Sequence, residues 1–155
     1  MLRDAGTPLQ TSIRLLRQHV ADERKAIAAG DAAQRSWLLA DFHICLAECL
    51  GNRFLTSMLI DLSARTTLVS ALYQSQSEAQ TSNDDHAAIV AALADGDNAL
   101  AERLMLEHID TLAARLDASR AGSGSGSARD RLRSALAPDM PAAGARATQR
   151  RLKKM

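Results

Sequence analysis

The sequence predicts an all-α fold, an antiparallel bundle of about five helices followed by a flexible, basic C-terminal tail. Three observations predict it. Apolar residues recur at helical spacing, as in Leu9, Ile13, Leu16, Val20 and Ile27, and no alternating strand pattern competes. No proline lies between Leu9 and Ala137, so nothing interrupts long helices. From Leu9 to Ala121 the only glycines are Gly30, Gly51 and Gly96, followed at once by Asp31, Asn52 and Asp97. That pairing punctuates helices: glycine closes one in the left-handed conformation, and the next side-chain oxygen accepts from the free amides that open the following one.

The elements follow in order. The Leu9–Ile27 stripe places the first helix at about 8–29. Asp31, with Gln34 three residues on in a capping-box pattern, opens a second at about 32–50. Asn52 opens a third at about 53–74, ended by the polar, unpatterned stretch Gln74 to Asn83. A capping cluster at Ser82 to Asp85 opens a fourth at about 84–95, with Ile89, Val90 and Leu93 on one face. Asp97 opens the fifth, at about 98–118. The short connections at 30, 51 and 96 force successive helices to lie antiparallel.

Charge divides the chain. Residues 1–119 carry 10 Lys/Arg against 16 Asp/Glu, and residues 120–155 carry 9 against 2, so an acidic body precedes a basic tail. Gly122-Ser-Gly-Ser-Gly-Ser127 marks the junction, offering backbone freedom and nothing to bury. The predicted organisation is a helical domain over 1–119 and a flexible tail over 120–155. The closing Arg150-Arg-Leu-Lys-Lys154 is either a solvated end or a non-specific contact for nucleic acid or anionic lipid.

With aromatics at 3%, a base-stacking nucleic-acid platform is excluded. No apolar run reaches the roughly 20 residues of a membrane span, and Met1 to Pro8 lacks a signal-peptide hydrophobic region, so the predicted location is cytoplasmic. Cys45 and Cys49 read as reduced thiols.

The histidines carry the chemistry. His86 lies eleven residues before Asp97 and His108 eleven after, so the two stand level in an antiparallel hairpin. His19 and His43 repeat this around Asp31. His43, His86 and His108 share faces with apolar residues and point inward; His19 sits at the edge of its stripe. Three buried imidazoles must satisfy six ring nitrogens, and a divalent cation bound by three of them does so while leaving coordination positions open. Spacing alone leaves this reading level with three core histidines hydrogen-bonded to backbone or water.

Asp41-Phe-His43-Ile-Cys-Leu-Ala-Glu-Cys-Leu-Gly-Asn52, then Asp85-His86-Ala-Ala-Ile-Val-Ala-Ala-Leu-Ala-Asp-Gly-Asp97, then Met105-Leu-Glu-His108-Ile resemble the FCD domain, the effector-binding half of FadR-type GntR transcriptional regulators. The resemblance covers about Leu9 to Leu116. It implies a bundle whose cavity holds a divalent metal (Zn, Ni or Mn) and a small carboxylate effector, in a homodimer, with no enzymatic activity. His43, His86 and His108 fall on the family's three histidine ligand positions. Its usual aspartate, four residues before the first histidine, is here Leu39, and Asp41 lies on the opposite helix face. Water or effector then fills the gap, or metal affinity is reduced, or no metal binds. Arg65 resembles the arginine that meets the effector carboxylate, and Tyr73 and Asn52 are further candidates for the cavity. Arg65 on the surface, Tyr73 as packing and Asn52 as a simple cap are the competing readings.

Such regulators also carry an amino-terminal winged helix-turn-helix and a first effector-domain helix that this sequence lacks. The expectation is therefore a sensor that meets DNA only through a domain outside this chain, whether a truncated regulator, the product of a misplaced start codon or a free-standing sensor remnant. The alternative is a non-sensing helical dimerisation module that pairs with full-length regulators. No His-Glu-x-x-His, no glycine-rich phosphate loop and no carboxylate identifiable beside the histidines supports an enzyme.

Overall fold

The computed structural model describes residues 8–121, which form five helices: α1 (Pro8–Ala29), α2 (Ala32–Cys49), α3 (Arg53–Tyr73), α4 (Gln76–Ala94) and α5 (Asn98–Ala121). The all-α bundle predicted from sequence is the observed fold. The basic tail beyond Ala121, with its terminal Arg/Lys cluster, lies outside the described residues, as do Met1 to Thr7.

The glycine punctuation works as its chemistry demands. Gly30, Gly51 and Gly96 have φ of 72°, 68° and 75°, the left-handed region that costs other residues energy. Asp31, Asn52 and Asp97 accept from the amides of Gln34, Leu55 and Leu100 at 2.9, 3.0 and 2.9 Å.

One boundary departs from the sequence reading. The fourth helix begins at Gln76, not near 84, so most of the polar stretch is helical. Ser75 accepts from the Glu78 amide at 3.1 Å, and Glu78 Oε2 accepts from the Ser75 amide at 2.8 Å, a complete capping box. The turns it opens bury small or polar residues, Ala79, Ser82 and Asn83, so an apolar stripe is absent from a face that is nonetheless inward. The fifth helix also runs past the expected end at 118, to Ala121.

Leu16 and Val20 of α1, Phe42 of α2, and Ile89 and Val90 of α4 form the main core, with Leu104 and Met105 of α5 against its edge. Phe42 is fully buried and stacks on His86 with ring centroids 3.9 Å apart, so it fixes the imidazole as well as filling the core. Truncating such a phenylalanine to alanine costs about 3–5 kcal/mol. Helix α4 lies between α1 and α5, while α3 packs chiefly on α2. Much of α3 therefore keeps its apolar side chains in the open, including Phe54, Met58, Ile60 and Leu62. Among the described residues no helix is long and apolar enough to cross a membrane.

Candidate metal centre

Helices α2, α3, α4 and α5 line a partly open cavity of about 320 Å³. His43 from α2, His86 from α4 and His108 from α5 meet on its wall, each offering one ring nitrogen within 4.8 Å of the other two. The two level histidines of the second hairpin come closest, with Nε2 atoms 3.2 Å apart. The His43 ring lies 5.2 Å from that of His86 and 5.4 Å from that of His108, centroid to centroid. The first hairpin does not repeat this pairing. His19 lies instead beside Asp41 and Cys45, and its Nε2 is 3.5 Å from Glu23 Oε1.

The outer nitrogens are held by carboxylates that sequence reasoning missed. His86 Nδ1 is 3.0 Å from Glu23 Oε1, and His108 Nδ1 is 2.9 Å from Asp85 Oδ2. Glu23 is completely buried and also accepts from Asn83 Nδ2 at 2.9 Å. Its signal was present: Glu23 stands in line with Leu16, Val20 and Ile27, a carboxylate inside an apolar stripe. Asp85 gave no such signal, because the pairing with His108 spans 23 residues.

Burial keeps His43 and His86 uncharged. Burial, reinforced by His86 and then His108, pushes His43 down to about 3; burial, followed by His108, holds His86 well below the usual imidazole range. Burial pushes the Glu23 carboxyl up to about 8, against the Asn83 hydrogen bond that favours its ionised form.

The donor set fits a divalent cation. An imidazole whose Nδ1 proton goes to a carboxyl oxygen, whether of ionised Asp85 or through the accepting oxygen of Glu23, presents a bare lone pair on Nε2, the arrangement that metal-binding histidines use. Two nitrogens sharing one ion at about 2.0–2.1 Å stand about 2.9–3.4 Å apart for coordination angles of about 90–109°, and the 3.2 Å separation falls in that range.

Other predicted residues divide. Tyr73 and Leu39 line the cavity, and Leu39 is buried where the family pattern has an acid. Asn52 is exposed and caps α3. Arg65 is exposed and is not among the residues that line the cavity; the lining arginine is Arg115 of α5, which also approaches Glu78. Three buried polar atoms on the same wall, Ser36 Oγ, Ser82 Oγ and Gln74 Oε1, have no hydrogen-bond partner among the described residues. Buried polar groups rarely stay unpaired without reason, so the wall is suited to a polar ligand.

What fold and cavity define is an antiparallel helical bundle closed around three histidines. A family model described as FCD domain matches residues 5–111, and the chain belongs to that family. FCD domains are effector-binding domains of GntR-type transcription regulators, not, in general, enzymes. Comparison with curated proteins and with solved structures returned no match.

Proposed function

We propose that this chain senses a small organic acid, which it binds beside a divalent metal held by His43, His86 and His108. The observation that carries the reading is the 3.2 Å approach of two Nε2 atoms whose Nδ1 partners are carboxyl groups. A bound cation supplies Lewis acidity toward an oxygen ligand. The chain's own groups do the rest. Glu23 and Asp85 orient the rings; Ser36 and Ser82 offer hydroxyls; Arg115 offers a planar cation suited to a carboxylate. Leu39, Leu62, Ile109 and Leu112 form an apolar wall for the acid's carbon skeleton, and 320 Å³ suits a small molecule.

Signal output follows from α3. It contributes Leu59, Leu62 and Ser63 to the cavity yet packs chiefly on α2, so an acid that prefers one α3 position shifts the population toward it. Thermal unfolding with a panel of mono- and dicarboxylates, with and without Zn, Ni or Mn, tests the proposal. An acid at 100 times its Kd adds about 2.7 kcal/mol. The expected result is a rise in Tm that needs both metal and acid; no response to any combination rejects sensing.

The second reading is a non-sensing dimerisation module. Exposed Phe54, Met58 and Leu62 on α3, with Leu106 and Ile109 on α5, favour it as an apolar interface. A dimer that survives dilution while neither metal nor acid alters stability selects this reading.

A further inference from the structure

We infer that His19, Asp41 and Cys45 form a second metal site, separate from the three histidines and suited to a thiophilic divalent ion such as Zn2+ or Co2+. Cys45 Sγ is 3.7 Å from His19 Nδ1 and 3.5 Å from Asp41 Oδ2, and the nitrogen and oxygen are 3.9 Å apart. One tetrahedral ion at about 2.0–2.3 Å from nitrogen, oxygen and sulfur ligands sets such edges at about 3.3–3.6 Å, so closure asks only a few tenths of an ångström of two side chains.

Two features of the surroundings point the donors at one spot. Asp41 and Cys45 are four residues apart on α2 and share a face. His19 Nε2 is 2.9 Å from the Leu38 carbonyl oxygen, which can only accept, so the ring proton resides there and Nδ1 turns a lone pair toward the thiol and carboxylate. The thiol has one proton for two facing acceptors. A dication replaces that proton, which leaves for bulk water, and satisfies all three donors together.

A nucleophilic cysteine is the competing use of these residues, and the site opposes it. Burial, followed by the Asp41 charge, pushes the Cys45 thiol up to about 12, whereas a nucleophile needs a lowered value. The same acidic surroundings favour a cation. The His19 and Asp41 side chains keep 11% and 24% of their surface, which leaves an ion a path in and room for a water as fourth ligand. Cys49 is not part of the set; its Sγ points to the Ser12 carbonyl, 4.0 Å away.

Cobalt titration of the full, chelator-stripped chain tests the site, because only a thiolate ligand gives an intense near-ultraviolet thiolate-to-cobalt charge-transfer band. The parent should develop the band with one equivalent of Co2+ bound at this site. Cys45→Ser should lose the band, Cys49→Ser should retain it, and Asp41→Asn should need at least about tenfold more cobalt to reach it. His86→Ala should keep the band while losing cobalt at the other centre, so failure of either site is read independently of the other. Absence of the band in the folded parent overturns the inference, as does a band that survives in Cys45→Ser.

Discussion

Replacing Glu23 by glutamine separates the roles of the buried carboxylate. Glu23 holds its proton up to about pH 8 in the folded chain, against an ordinary value of 4.5, because burial penalises its charge. A group whose acid form is favoured by folding makes the folded state bind more protons than the unfolded one, so stability falls as pH rises between the two values. The depressed His43 and His86 act in the opposite sense, chiefly below about pH 7, where the unfolded imidazoles take up protons. Between pH 7 and 8 the Glu23 effect outweighs theirs. With a slope of at most about 1.4 kcal/mol per pH unit, which falls off near pH 8, it lowers the stability of the metal-free parent by about 1 kcal/mol across that window.

Glutamine stays neutral and can donate to His86 Nδ1, which moves the ring proton to Nε2, toward His108. Glu23→Gln should therefore lose the fall in stability between pH 7 and 8 and show equal or greater metal-free stability at pH 8. It should bind metal about 10–100-fold more weakly, because the lone pair on Nε2 is now occupied. Urea unfolding in chelator at several pH values, paired with metal titration, measures both. A variant whose pH profile parallels the parent's and whose metal affinity is unchanged refutes the assignment of Glu23 to the centre.

Arg115→Ala should weaken binding of the organic acid at least about tenfold by calorimetry, whereas Arg65→Ala should leave it within about twofold; the reverse order removes Arg115 from the site. Leu39→Asp, at the position four residues before His43, should raise metal affinity while lowering metal-free stability by a few kcal/mol, since it buries an unpaired carboxylate; a metal affinity no higher than the parent's would show that Leu39 does not face the ion. Ser75→Ala should cost about 0.5–2 kcal/mol in chemical denaturation by opening the α4 capping box, and a cost near zero would mean that α4 does not depend on that cap.

Legibility in the sequence followed the range of the interactions. Helix ends set by one residue were readable, because Gly30-Asp31, Gly51-Asn52 and Gly96-Asp97 act within a turn. The start of α4 was missed although Ser75-x-x-Glu78 spelled it out, because its first turns bury small and polar side chains and lack an apolar stripe. The level placement of His86 and His108 followed from helical rise and one short turn. His19 obeys the same arithmetic with His43, yet the two enter different clusters, because rotation about the helix axis is not fixed by level alone. Glu23 was marked as inward by its place in the apolar stripe of α1, but its pairing with His86, that of Asp85 with His108, and the choice of Arg115 over Arg65 as the cavity's arginine depend on contacts between helices, which spacing within one helix cannot report.

Metal content of protein purified without a histidine tag tests the central claim most directly, with His86→Ala and His108→Ala alongside. Both variants should lose one equivalent of Zn, Ni or Mn that the parent retains, while Cys45→Ser keeps that equivalent. Equal metal content in the parent and both histidine variants would contradict a centre built on these imidazoles.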